Sequence, residues 1–192
     1  MPDNLFHDHY RIPSARAVWH NYNGGVYFVT ICTQGRKHFF GEIADGKMRL
    51  SAVGQFAEEQ LQNVAKHYAY AEIPSWVVMP NHVHAIVVID GWKTPYEKRN
   101  VERAVETFHE TSLQHTPQKS PIEYATQMQS WLSVVVRQFK QSVTRFATQN
   151  HISFAWQTRF HDRIIRNHDE MNLVAEYVGN NVARWESDKF YT

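Results

Sequence analysis

The segment Val77-Val78-Met79-Pro80-Asn81-His82-Val83-His84-Ala85-Ile86-Val87-Val88-Ile89 decides the fold of this chain. Its β-branched residues predict strand on both sides of Pro80-Asn81, a pair that favours a turn. Side chains alternate along a strand with a period of two. His82 and His84 therefore share one face, while Val83 and Ala85 face the other way, into a core. The two Cβ atoms then lie roughly 7 Å apart, close enough for both imidazoles to reach one metal ion. Burying two polar rings on one strand face costs free energy, so the pair needs a use.

The rest of the chain is read outward from that hairpin. Val26-Tyr27-Phe28-Val29-Thr30-Ile31-Cys32-Thr33 follows the turn residues Asn23-Gly24-Gly25 and predicts a strand. Ala44-Asp45-Gly46-Lys47 predicts a turn, with a short strand over 47–50. Ser51 is a candidate N-cap for a helix to about residue 68, with Val53, Phe56, Ala57, Leu61, Val64 and Ala65 at helical spacing. Residues 91–124 change character: they are polar, carry Pro95, Pro117 and Pro121, and hold only a weak helical pattern at 101–108. They read as a mobile insertion. Residues 128–146 form an amphipathic helix pattern, with Trp131, Leu132, Val135, Phe139 and Val143 inward. Ile152 to Trp156 and Ile164-Ile165 are short apolar pieces, and Asp169 opens a final helix to about Arg184. The pattern predicts an α+β fold: one antiparallel sheet with helices packed on it, in a two-layer or three-layer sandwich. It forms a single domain over 1–192, with the insertion at about 91–124.

Composition narrows the function. A chain of 192 residues with 43% hydrophobic and 14% aromatic residues suits one domain with a substantial core. No apolar run approaches the roughly 20 residues that span a bilayer, so no membrane role is expected. The polar N-terminal stretch lacks the apolar region of an export signal, which predicts a cytoplasmic protein. Cys32 is the only cysteine, which excludes an internal disulfide framework and any multi-cysteine zinc site. The net charge of +1 does not announce a nucleic-acid partner. Locally, however, Arg137, Lys140, Arg145, Arg159, Arg163 and Arg166 stand against Asp162 alone between Thr126 and Arg166. Such a stretch is either a solvated basic face or a phosphate-binding patch.

Two histidines alone make a weak metal site, so a further ligand is needed. Tyr177 and Asn181 lie four residues apart and share a helical face. The Asn181 carbonyl oxygen can bind a hard cation. Tyr177 beside that cation can act as a nucleophile, although a tyrosine at such a position is more often core. Spacing alone leaves both readings of Tyr177 open.

Several segments together resemble one family. Met79-Pro80-Asn81-His82-Val83-His84 resembles the MPNHxH motif of the single-tyrosine HUH transposases, and of their REP-associated tyrosine transposase branch in particular. Tyr27 to Thr33 resembles the first core strand of that family, and Gly41-Glu42-Ile43 its following turn. Val136 to Thr144 is similar to its FKS helix. Trp156-Gln157-Thr158-Arg159-Phe160-His161-Asp162-Arg163-Ile164-Ile165-Arg166 is similar to its DRIIR block. Glu176-Tyr177-Val178-Gly179-Asn180-Asn181-Val182-Ala183-Arg184-Trp185 resembles its tyrosine helix. The order and intervals agree over most of the chain, apart from the insertion.

The resemblance implies a ferredoxin-like or RRM-like HUH core. It implies that His82, His84 and Asn181 hold Mg²⁺ or Mn²⁺ and that Tyr177 is the nucleophile. That tyrosine would cleave single-stranded or hairpin DNA, REP-like or palindromic, through a 5′-phosphotyrosine. Arg137, Lys140, Arg145, Arg159, Arg163 and Arg166 are the phosphate-contact candidates. The N-terminal Arg11 and Arg16 and the insertion are further candidates to order on DNA. Trp156 and Phe160 read as core first and as base-stacking rings second. The family includes homodimers with exchanged C-terminal helices and members that act alone. Two departures stand out: Val182 replaces the proline after the helix asparagine, and His161 replaces an aromatic residue. The first predicts a helix that runs past Asn181. Two other readings remain: a domesticated hairpin-binding protein without turnover, and a metal-dependent phosphoesterase that uses activated water.

Overall fold

The computed structural model describes residues 5–6, 10–11, 24–95 and 130–191. Leu5–Phe6 (β1) pairs antiparallel with Tyr10–Arg11 (β2). The body of the fold begins with Gly25–Cys32 (β3). A hairpin of Gly41–Ala44 (β4) and Lys47–Leu50 (β5) leads into helix Ala52–Gln62 (α1) and the short helix Val64–His67 (α2). Ala71–Met79 (β6) and His82–Ile89 (β7) form the hairpin expected around Pro80-Asn81. Trp131–Gln149 (α3), His161–Ile165 (β8) and His168–Asn180 (α4) complete the regular helices and strands of the described residues.

The main sheet has the order β6-β7-β3-β8, and every pairing is antiparallel. Because β7 lies antiparallel between β6 and β3, those two strands run the same way. This is the split βαβ of the ferredoxin-like core, built from β3, α1, β6, β7, α3 and β8. Helices α1 and α3 cover one face, where Phe56 and Phe146 stack with ring centroids 4.3 Å apart. The apolar side chains Tyr27, Val29, Ile31, Val83, Ala85, Val87 and Ile89 point into this layer and meet Val53, Ala57, Leu61, Leu132, Val135, Phe139 and Val143. Each Val, Leu or Ile side chain among them contributes about 1.5–3 kcal/mol by leaving water. Helix α4 covers the opposite face through Val174 and Val178, which pack with Ile86 and Ile165. The sandwich therefore has three layers.

Local chemistry explains where the elements start and stop. Ser51 caps α1 as expected, accepting from Gly54 N at 3.1 Å. The carbonyl of Phe40 lies so close to this first turn that a Cβ on residue 54 would sit 2.1 Å from it, so only glycine fits. The same Phe40 donates its N–H to Pro80 O at 3.0 Å, which ties the start of α1 to the turn that precedes His82. Pro74 falls on the edge strand β6 at a register shift between Glu72 and Ser75, where its missing N–H breaks no interior ladder.

Three expectations are corrected. The helix from Ser51 to about residue 68 breaks at Asn63 into α1 and α2, since Asn63 adopts φ −97° and ψ 4° and its side chain bonds Glu59 O. Gly41-Glu42-Ile43 belongs to strand β4, not to a turn. The last helix begins at His168 with Asn167 as its cap, and ends at Asn180 although Val182 supplies no proline stop. Gly179, Asn180 and Asn181 are weak helix formers, and the Asn181 N–H already bonds Val178 O, three residues back. Of the insertion, Gly91–Lys93 forms a 3₁₀ turn, and its weak helical pattern at 101–108 lies outside the described residues, as does Arg16.

Candidate metal and nucleophile site

Strand alternation places His82 and His84 on the α4 side of β7. On that face His82 lies opposite Cys32 of β3 and Met79 of β6, and His84 opposite Thr30 and Val77. Both histidines sit on a central strand beneath a helix, and they are 0% and 1% exposed. Burial, first of all, pushes both imidazoles down to about 3. Positive charge on Lys189 and Arg36 adds to this at His82, and the neighbouring His82 adds to it at His84. Both rings are therefore neutral at pH 7, the state in which imidazole binds a metal.

A chain of hydrogen bonds fixes the tautomer of His82. The Asn81 side-chain amide donates from Nδ2 to the Phe190 carbonyl at 2.8 Å, which turns Asn81 Oδ1 toward His82. His82 Nδ1 lies 2.8 Å from that oxygen and must donate to it. The remaining nitrogen, Nε2, is left with its lone pair. It is buried and has no hydrogen-bond partner. His84 Nδ1 lies 2.9 Å from the Thr30 hydroxyl, so its Nε2 is the atom turned to the site.

Helix α4 delivers two more groups. Tyr177 Oη lies 3.3 Å from His84 Nε2, and its ring meets Phe28 edge-on at 5.9 Å. At 37% exposure the tyrosine is reachable from solvent while the histidines are not. Burial raises its pKa, the negative charge on Asp188 raises it further, and Asn181 opposes the shift. Asn181, one turn on, is 2% exposed. Its Nδ2 donates to Asp188 Oδ2 at 3.1 Å, and its carbonyl Oδ1 is buried without a partner.

Neither the spacing nor the motif resemblance singles out Asp188. It follows the 3₁₀ turn Trp185–Ser187 and comes back over the sheet, so that it, His82 and His84 each present a ligand atom within 4.8 Å of the others. No spacing rule links residue 188 to residue 84. The only sequence cue is an acidic residue shortly after the tyrosine helix.

The donor set tests whether a cation fits. Two neutral imidazole nitrogens and one carboxylate converge, and His82 Nε2 and Asn181 Oδ1 are buried acceptors whose lone pairs meet no donor. A buried acceptor without a donor is costly, and a divalent cation answers it. Mixed nitrogen and oxygen ligands suit Mn²⁺ better than Mg²⁺, which favours oxygen throughout.

The basic residues divide between two layers. Arg137, Lys140 and Arg145 of α3 line an open groove of about 670 Å³ with Thr158 and Phe160. Lys140 Nζ donates to the carbonyls of Gln157 and Thr158 at 2.6 and 3.3 Å, so it also pins this loop to α3. Trp156 donates to Lys140 O at 3.1 Å and, half-buried, packs on Phe40, Phe139 and Phe154 at the edge of the core. Arg163 lies on β8 opposite Phe28, on the histidine side of the sheet, and pairs with Glu170. The Arg166 backbone N–H donates to the same carboxylate at 2.9 Å. Arg159 is exposed in the loop between the two groups. Among the described residues no helix is long and apolar enough to cross a membrane.

A protein of Haemophilus influenzae (strain ATCC 51907 / DSM 11121 / KW20 / Rd), described as an uncharacterized protein, is 30% identical over 181 residues, 93% of this chain and 92% of its own length. This chain belongs to the family of that protein. No family model matches the chain. Among solved structures, the REP-associated tyrosine transposase bound to a REP hairpin is similar at 17% identity and a TM-score of 0.47, over 93% of this chain and 77% of that one. A chain described as a candidate transposase from Deinococcus radiodurans R1 is similar at 14% identity and a TM-score of 0.35, over 87% and 97% respectively. At such scores the two structures carry no functional weight.

Proposed function

We propose that this protein is a metal-dependent single-stranded DNA nickase and strand transferase of the REP-associated tyrosine transposase type, with Tyr177 as its nucleophile. One observation carries the reading. A solvent-reachable tyrosine hydroxyl stands 3.3 Å from one of two buried, neutral histidines. The second histidine, through Nε2, and Asn181, through Oδ1, each hold a buried acceptor atom without a partner. The motif resemblance, spread over both halves of the chain, supports the same assignment.

In this reading His82, His84 and Asn181 hold Mg²⁺ or Mn²⁺. When bound, that cation polarises the scissile phosphate and offsets charge on the pentavalent transition state. The chain's own residues do the rest. Helix α4 holds the Tyr177 oxygen at the edge of the pair, where it bonds to phosphorus as the bond to O3′ breaks. The tyrosine proton is lost to solvent and the released O3′ takes one up, so the products are a 5′-phosphotyrosine and a free 3′ hydroxyl. One phosphodiester replaces another, so the reaction is reversible by the same 3′ hydroxyl and needs no nucleotide triphosphate. Phe28 and the packing of Val174 and Val178 keep the tyrosine ring in register with the histidines.

The DNA is a hairpin with a single-stranded flank. Arg163, on the same face as the histidines, lies nearer the cleaved strand, and the groove of Arg137 and Arg145 takes a more distant part of the backbone. Incubation with labelled hairpin oligonucleotides, with Mn²⁺ or Mg²⁺, tests the reading. A covalent protein–DNA species supports it. Cleavage with no protein-linked end makes the protein a water-using phosphoesterase, and tight binding without cleavage makes it a hairpin-binding protein.

A further inference from the structure

We infer that Asp188 is a ligand of the cation at this site, alternating between the cation and the Tyr177 hydroxyl. The inference rests on the proposed cation site and adds to it a residue that the motif does not contain.

Three observations carry it. The first is convergence: ligand atoms of His82, His84 and Asp188 lie within 4.8 Å of one another. The second is the pair of buried lone-pair atoms, His82 Nε2 and Asn181 Oδ1, that have no partner. These residues are 0% and 2% exposed, so water does not freely supply the missing donors. The third is how the carboxylate is held. Asp188 Oδ1 accepts the Phe190 backbone N–H at 2.7 Å, a firm local anchor. Oδ2 makes only longer bonds, to Tyr177 Oη at 3.3 Å and to Asn181 Nδ2 at 3.1 Å. One oxygen is thus fixed and the other is lightly committed on the side of the histidines.

The tail that carries Asp188 is not loose. Arg36 donates to Lys189 O at 3.1 Å, and Asn81 donates to Phe190 O. Phe190 is buried, with its ring 4.6 Å from that of His82. The tail therefore acts on the site twice. Its Phe190 carbonyl orients Asn81 and through it the His82 tautomer, and its Asp188 supplies a carboxylate. Two imidazoles and one carboxylate form a donor set with mixed nitrogen and oxygen character, suited to first-row divalent cations, of which Mn²⁺ is a convenient paramagnetic probe. A cation that draws Oδ2 away releases the tyrosine hydroxyl from its carboxylate partner, which links occupancy to a free nucleophile.

The test is a Mn²⁺ titration of the full chain without DNA, read by loss of the free-ion resonance signal. Wild type, Asp188→Asn, Asp188→Ala and His82→Gln are compared, with near-ultraviolet circular dichroism as the check on folding. Asparagine keeps the shape and the Phe190 contact but loses the charge. The expected result is that both Asp188 variants bind Mn²⁺ at least about tenfold more weakly, the lower bound for losing even an outer-shell partner of a metal. His82→Gln is expected to lose binding at this site. Unchanged affinity in a folded Asp188 variant, with binding lost in His82→Gln, overturns the role of Asp188 and leaves the site standing. Unchanged affinity in His82→Gln overturns the cation site itself, and Asp188 with it.

Discussion

Strand β7 has two covered faces of different chemistry. Val83, Ala85, Val87 and Ile89 look toward α1 and α3 and pack within the apolar core between them. His82 and His84 look toward α4 and leave a lone pair of His82 unanswered. Burial on the first face is the source of its stability. Burial on the second is a cost, kept because it holds two imidazoles neutral and in place beside Tyr177. The comparison teaches that depth in a core says little about what a residue is for, and that unpaired polar atoms say more.

The largest effect expected from breaking this contrast is on the polar face. His82→Gln should lower nicking of a hairpin by about a thousandfold or more, roughly 4 kcal/mol of transition-state stabilisation, while the melting temperature stays within a few degrees. Single-turnover cleavage rates beside thermal unfolding measure both sides. A large loss of stability with modest loss of rate would reverse the roles assigned to the two faces.

On the apolar face the order inverts. Leu132 is fully buried under the sheet, and Leu132→Ala should cost about 2–5 kcal/mol in a urea unfolding experiment. Nicking per folded molecule should be unchanged. A rate that falls in step with the substitution would tie this face to the chemistry.

The buried imidazoles also give a pH signature in the presence of a chelator. Their folded pKa of about 3 lies below the usual 6.5. Between those values the unfolded chain binds more protons, so the folded state is favoured above pH 6.5 and loses ground as pH falls. The loss approaches about 1.4 kcal/mol per pH unit for each histidine. Urea midpoints at about pH 7.5 and about pH 5.5 measure it, and His82→Gln should remove roughly half of the slope. A flat wild-type profile would mean that the rings are not held neutral.

The smallest effect is local. Ser51→Ala removes the cap of α1 and should cost about 1 kcal/mol, with no change in Mn²⁺ affinity. A weakened cation site in that variant would show that α1, through Phe40 and the Pro80 turn, controls the histidines.

Much of this was legible in the chain because it is local. Alternation in β7 depends on neighbouring residues, so the shared face of His82 and His84 was readable, as was the Ser51 cap. The pairing of Tyr177 with Asn181 followed from helical spacing. What the chain hid was non-local or weakly patterned. Asp188 meets His84 only because the tail folds back over the sheet after Trp185. The Phe190 carbonyl reaches Asn81 across 109 positions. Strand β4 lacks both the alternation and the β-branched run that mark a strand, and it exists because β5 pairs with it. The six basic residues looked like one patch in sequence. The sheet separates Arg137 and Arg145 from Arg163, because α3 lies on one face while residue 163 of β8 points to the other.

The central claim is that α4 brings Tyr177 to the histidine pair as a nucleophile. Trypsin cuts after Arg166 and Arg184, and the peptide between them contains Tyr177 as its only tyrosine. Reaction with hairpin DNA and Mn²⁺, nuclease trimming and mass analysis of that peptide test the claim directly. The account predicts a nucleotide on Tyr177, absent from Tyr177→Phe. A nucleotide on another residue, or cleaved DNA whose 5′ phosphate is free of protein, would contradict it.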